Sequence, residues 1–133
     1  MIPVPGFAVS NADSRPYWEA AHEGRLVFKR CCACGHVQFP PRHLCPKCWS
    51  EKAEWIASAG MGSVHSFTVV RRAPRREYAE RVPYVLAIID LDDAPRMMAN
   101  VVGSDALEVR TGDRVGVTFE PQDGGTLPQF KRL

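Results

Sequence analysis

Five cysteines fall between residues 31 and 48: Cys31, Cys32, Cys34, Cys45 and Cys48. Two of the intervals read Cys-x-x-Cys, Cys31 to Cys34 and Cys45 to Cys48, with Gly35 through Leu44 between them. A turn of this form aims two sulfurs at one point, and a glycine after the second cysteine eases it by tolerating positive φ. Gly35 holds that place in the first pair and Trp49 in the second. Two such knuckles at the ends of a hairpin bring four thiolates into the tetrahedron that zinc takes, with Zn–S bonds of about 2.3 Å.

Cys31 and Cys32 compete for one position. Cys31 gives the Cys-x-x-Cys interval with Cys34, whereas Cys32 leaves a single residue between ligands, so Cys31, Cys34, Cys45 and Cys48 are the expected ligands and Cys32 a spare thiol. Such a site is coordinatively closed: its ion stabilises the fold and does not activate water. A disulfide framework fits a secreted chain, and the start MIPVPGFAVSNADSRP has neither the basic stretch nor the apolar core of a secretory signal. A redox Cys-x-x-Cys needs one pair in a thioredoxin-like βαβ context. Iron in a rubredoxin-like centre uses the same four thiolates; zinc is preferred on availability and ribbon context.

Other chemistry is thin. His22, His36, His43 and His65 are scattered, and no Gly-x-Ser-x-Gly elbow, phosphate loop or dinucleotide fingerprint occurs. Asp92-Asp93 sits where a hairpin turn is expected, a place that favours aspartate for backbone reasons. Arg71-Arg72-Ala73-Pro74-Arg75-Arg76 is the densest cationic run.

These residues need elements to position them. Residues 1–13 read as an N-terminal arm, and residues 14–54 as a helix followed by the ribbon. The helix has Asp13 or Ser14 as its cap, Pro16 in its first turn and Gly24 past its end. Tyr17, Trp18, Ala20 and Ala21 form its apolar stripe, facing either its own domain or a partner. Leu26-Val27-Phe28 is a strand entering the first knuckle, and residues 50–62 connect the ribbon to the C-terminal half of the chain. Residues 55–133 read as β-structure. Strands are expected at Gly62–Arg72, at Tyr84–Leu91 (buried on both faces), at Met97–Val102, through Val115, Val117 and Phe119, and near Leu127–Lys131. So many short strands are most economically closed into a small barrel, which removes unpaired edges.

Composition bounds the rest. A chain of 133 residues with 45% hydrophobic and 24% charged residues suits one soluble domain with a small attached module, and no apolar run spans a bilayer. A cytoplasmic location and no membrane partner are expected. Four thiolates and one divalent cation bring the formal +2 to zero, which disfavours general electrostatic binding of nucleic acid. Five arginines between Arg71 and Arg81 nevertheless make a local basic patch.

The ordered set Tyr17-Trp18-Glu19, Gly24-Arg25-Leu26, Arg30-Cys31, Phe39-Pro40-Pro41-Arg42, Cys45-Pro46-Lys47-Cys48, Gly60-Met61-Gly62-Ser63-Val64, Pro83–Leu91 and Pro128-Gln129-Phe130 resembles the acyl-CoA-associated family with a rubredoxin-like zinc ribbon followed by an OB-fold domain. The resemblance runs from about residue 14 to 131. It implies a mainly β fold and a non-catalytic accessory subunit in a hetero-oligomer. The partner is a thiolase-like condensing or aldol-cleaving acyl-CoA enzyme, or a hotdog-fold enoyl-CoA hydratase, whose acyl-CoA site the subunit helps to form. Arg71, Arg72, Arg75 and Arg76 then stand in an OB-fold loop, where guanidinium forks suit the phosphates of coenzyme A. A solvated or protein-docking loop is the alternative. Two other readings are a single-stranded nucleic-acid binder, which needs several exposed aromatics among basic strands, and an independent acyl carrier or acyltransferase, for which Cys32 is the one thiol left over.

Overall fold

The computed structural model describes residues 12–74, 76–122 and 125–133. Most of the expected arm, together with Arg75, lies outside them. Helix α1 (Arg15–His22) starts after Ser14 with Pro16 in its first turn, and Gly24 beyond its end takes φ 79°. The Ser14 side chain makes no capping bond to the helix amides. Tyr17, Ala20 and Ala21 are buried, so most of the stripe serves the chain's own core.

Strand β1 (Val27–Cys31) is central in a three-stranded antiparallel sheet, between β2 (Val37–Gln38) and β3 (Ala53–Ala57). Residues 50–62 therefore do more than connect. Val27 pairs with Ala57 and Cys31 with Ala53, clamping the first knuckle to the chain leaving the second.

The remaining strands close a barrel in the order β4 (Met61–Val70), β5 (Tyr84–Leu91), β6 (Met97–Val102), β8 (Gly125–Arg132), β7 (Arg114–Gln122). Strand β4 is long enough to pair with β5 along its length and with β7 at its start, helped by a register shift between Val64 and Ser66. Bulges of this kind bend a strand to turn a barrel corner. At Gly62 the strands press together so closely that a Cβ would run into the carbonyl oxygen of Asp90. The barrel closes through one parallel contact, Val101 with Phe130 and Val102 with Lys131.

Strand β5 corrects one expectation. Its residues alternate half-buried and buried, with Val85, Ala87, Ile89 and Leu91 inward. The outward Leu86 and Ile88 are half-buried, which leaves an apolar outer face where two buried faces were expected. Its run looked continuous because both faces are apolar, although only one meets the barrel core.

One hydrophobic cluster joins helix, ribbon and barrel, from Tyr17, Leu26 and Phe28 to Ile89, Val115 and Phe130. Tyr17 meets Phe39 edge-on at 5.5 Å, and Phe39 meets Phe28 at 5.8 Å. Burial of Tyr17 pushes its phenol well above the usual range. Asp93 ties the modules on the outside, accepting from Ser58 Oγ at 2.7 Å and from the Ala59 amide at 2.8 Å. Asp92 forms a bidentate pair with Arg114. Both aspartates are thus structural.

Candidate functional site

The two knuckles are built alike. The Gly35 amide donates to the Cys31 carbonyl and the Trp49 amide to the Cys45 carbonyl, each at 2.9 Å. Gly35 takes φ 79° and Trp49 φ 66°. The second knuckle therefore adopts the same left-handed turn without glycine, and its indole is left 76% exposed. A bulky residue in this region costs on the order of 1 kcal/mol. Trp49→Gly should accordingly raise the stability of the zinc-loaded protein by about 0.5–1 kcal/mol, after allowing for the greater freedom of glycine in the unfolded chain. Urea unfolding monitored by circular dichroism checks this; an unchanged or lower midpoint would contradict it.

Cys31, Cys34, Cys45 and Cys48 place their sulfurs within 4.8 Å of one another. Cys31 and Cys48 are 3.5 Å apart, Cys34 and Cys45 3.6 Å. A tetrahedron with bonds of about 2.3 Å has edges of about 3.8 Å, so the four sulfurs fit one zinc ion. Their protonation points the same way. The Cys34 amide, helped by the Ala33 amide, favours the Cys31 thiolate and holds that thiol at about 6 against its burial. At Cys48 the Ser50 amide also favours the thiolate, but the neighbouring Cys31 sulfur and desolvation outweigh it and push the thiol up to about 12. One thiolate suppresses the next until a cation neutralises the set. Cys32 is exposed and outside the cluster. His43 faces Glu51 at 3.1 Å, His65 faces Asp90 at 3.2 Å, and neither histidine joins the sulfurs.

Arg71, Arg72 and Arg76 are exposed in the β4–β5 connection, and none of them is ion-paired among the described residues. The same connection forms a short 3₁₀ turn, Arg76–Tyr78, and then reaches a feature missed in the sequence. This is a groove of about 870 Å³ along the outside of the barrel. Its lining includes Tyr17, Trp18 and Phe39 together with Tyr84, Met97 and Met98. Its signals were present, as Met97-Met98 and Leu127-Pro128, but they read as ordinary strand residues.

Two family models match the chain in tandem. Residues 18–54 match the ChsH2 rubredoxin-like zinc ribbon domain, and residues 55–120 match the ChsH2 C-terminal OB-fold domain. A solved structure, the Ltp2-ChsH2(DUF35) aldolase, superposes with a TM-score of 0.83 at 32% identity, covering 94% of this chain and 98% of that one. The chain belongs to the ChsH2 (DUF35) family. A DUF35 domain-containing scaffold protein of Methanothermobacter thermautotrophicus is 34% identical over 80% of this chain and 84% of its own length. The benzoylsuccinyl-CoA thiolase subunit BbsA of Thauera aromatica is 30% identical over 85% and 81%. A probable enoyl-CoA hydratase alpha subunit of Thermomonospora curvata is 34% identical over 91% of this chain, which spans 38% of that protein's length. The ribbon-plus-barrel reading of the sequence is thereby borne out. Among the described residues no helix is long and apolar enough to cross a membrane.

Proposed function

We propose that this ChsH2-family chain is a non-catalytic accessory subunit that binds a thiolase-like, condensing or aldol-cleaving enzyme and helps form its acyl-CoA site. The observation that carries the reading is the near-complete superposition on the ChsH2(DUF35) component of an aldolase, at 32% identity. Relatives named as a scaffold protein and as a thiolase subunit support it. The chemistry agrees: the cysteine cluster is saturated by its own four thiolates, so the metal serves folding.

The ribbon tip carries the docking surface in this reading. Trp49 and Leu44 are exposed there, and large exposed aromatics are common interface anchors. The strained φ of Trp49 is retained for the contact its side chain makes with the partner. The Arg71, Arg72 and Arg76 guanidiniums, with Arg75 beside them in sequence, are the proposed contacts to coenzyme A phosphates. An enoyl-CoA hydratase is the second reading of the partner, favoured by the likeness to a hydratase alpha subunit.

Co-expression with a thiolase-like enzyme of the same genome should yield a heteromer stable to gel filtration at micromolar concentration. Within that complex, Arg75→Ala combined with Arg76→Ala should weaken coenzyme A ester binding about threefold to tenfold, as expected for the loss of partly screened charge-assisted bonds. Capture of the hydratase in place of the thiolase-like enzyme would select the second reading. A chain that stays alone with both and retards oligonucleotides in a salt-dependent way would replace both with nucleic-acid binding.

A further inference from the structure

The lining of the outer groove holds an unusual polar group. Gln129 lies where α1 packs over β8 and is only 2% exposed. Its Nε2 donates to Glu120 Oε2 at 3.1 Å. That bond fixes the orientation of the amide, because turning it over would set Oε1 against the carboxylate. Among the described residues, Gln129 Oε1 is then buried without a donor. Buried acceptors are nearly always satisfied, so the rest of the chain is the first place to look for the missing N–H. Asp123 and Gly124 follow the Gln122–Gly125 pair, and Gly125 stands about 13 Å along β8 from Gln129. Arg75 would have to bury a charge to reach the site. That leaves residues 1–11.

The groove matches what that segment offers. Its lining is rich in aromatic rings, from Tyr17, Trp18, Phe39, Tyr78 and Tyr84, and at its border Met98 is 59% and Leu107 53% exposed. Its charges are paired with each other: Glu120 faces Arg81 at 4.0 Å, and the Arg81 guanidinium lies 5.8 Å over the Tyr78 ring. The segment reads MIPVPGFAVSN and carries no charged side chain. Pro3 and Pro5 fix their own φ, and the residues before them, Ile2 and Val4, are biased to extended backbone. Proline-bearing segments of this kind dock in aromatic-lined grooves at low entropic cost, and their amides make no bonds within the segment. The described chain begins at Ala12, just before α1, and Tyr17 and Trp18 of that helix line the groove. Residues 2–11 reach at most about 35 Å, more than the roughly 20 Å of β6 that the groove follows.

We propose that the chain's own N-terminal arm, through residues 2–7, packs into this groove as an extended strap. An amide N–H of Val4 or Gly6 donates to Gln129 Oε1, and the Phe7 ring covers Met98 and Trp18. The groove is then a self-covered surface, and any other occupant must displace the strap first. The inference goes beyond the accessory role proposed above and does not rest on it. A second copy of the chain is the rival source of cover, and the test separates the two.

The test uses the zinc-loaded full chain and follows the methionine methyl and indole signals by NMR. Nuclear Overhauser contacts between the Phe7 ring and the Met98 methyl or the Trp18 indole are expected. Val4→Ser combined with Phe7→Ser, an arm variant that leaves residues 12–133 untouched, should shift both the Met98 and the Trp18 signals. A synthetic peptide of residues 2–9 should then bind the arm variant with saturable shifts at Trp18. It should bind the parent at least tenfold more weakly, because a tethered arm competes at an effective concentration in the millimolar range. In the arm variant, Gln129→Met keeps the bulk, removes the acceptor and should weaken peptide binding about threefold to tenfold. Met98→Glu, at an exposed position, tests the groove without touching the core and should abolish saturation. The proposal is overturned by an absence of contacts from Phe7, by Met98 and Trp18 signals that ignore the arm substitutions, or by equal peptide binding to parent and arm variant. Unchanged peptide binding in a folded Gln129→Met or Met98→Glu protein overturns it as well. So does a loss of the Phe7 contacts on dilution, with a dimer in sedimentation equilibrium, since the cover would then come from a second copy.

Discussion

Replacing Cys34 by serine should release the zinc ion and unfold the ribbon, whereas Cys32→Ser should leave metal content and stability unchanged. Two neighbouring thiols, two residues apart, are thus expected to differ by the largest margin in the molecule. The cause is geometric. Cys34 Sγ is one vertex of the four-sulfur cluster and lies 3.6 Å from Cys45 Sγ. Cys32 is exposed outside the cluster, its backbone amide bonded to the Lys52 carbonyl. Structural zinc in small modules binds with an apparent free energy on the order of 10–16 kcal/mol, comparable to the entire stability of a domain. Beyond the β1–β3 ladder the two knuckles have little else to hold them: β2 contributes two residues, and the second knuckle is mostly exposed. A surface substitution such as Cys32→Ser changes stability by about 0.5 kcal/mol or less. Metal analysis should give one equivalent of zinc for the parent and Cys32→Ser, and near-stoichiometric loss for Cys34→Ser. Equal loss in both would mean that Cys32 completes the site.

The cysteine ligands were legible because metal geometry is local: two intervals of fixed length dictate which sulfurs can converge. The barrel strands were legible for a similar reason. Met97–Val102 and Tyr84–Leu91 are delimited by Asp92-Asp93 and Pro83, whose backbone preferences end strands whatever lies around them. Strand β3 was missed because Ala53–Ala57 lacks a clean period of two, with a burial pattern that leaves no residue fully covered. Its strand state comes from pairing with β1, a long-range contact that no window of sequence contains. Gln129 was hidden for the opposite reason. A polar residue between Pro128 and Phe130 reads as solvent-facing in a half-buried strand. Its burial depends on α1, more than a hundred residues earlier in the chain, lying across that face.

Phe130→Ala should destabilise the barrel by about 3–5 kcal/mol, the range for truncating a fully buried aromatic. The ring is 0% exposed. Its position makes the cost structural as well as local. Phe130 pairs with Val117 of β7 on one side and with Val101 of β6 on the other, and Val101–Phe130 is half of the two-residue parallel contact that closes the barrel. Antiparallel neighbours such as β4 and β5 hold many more registered pairs, so the β6–β8 seam is where the barrel has least to lose before opening. Amides of β6 and β8 should therefore exchange first in the variant, ahead of those in the β4–β5 hairpin. Zinc should stay bound at one equivalent in the native baseline, because the ligands between residues 31 and 48 are fixed by two knuckles and not by the seam. Early exchange in β4 and β5 would relocate the weak point. Zinc release in step with seam opening would show instead that Tyr17 and Phe28, which pack in one cluster with Phe130, couple ribbon and barrel into a single cooperative unit.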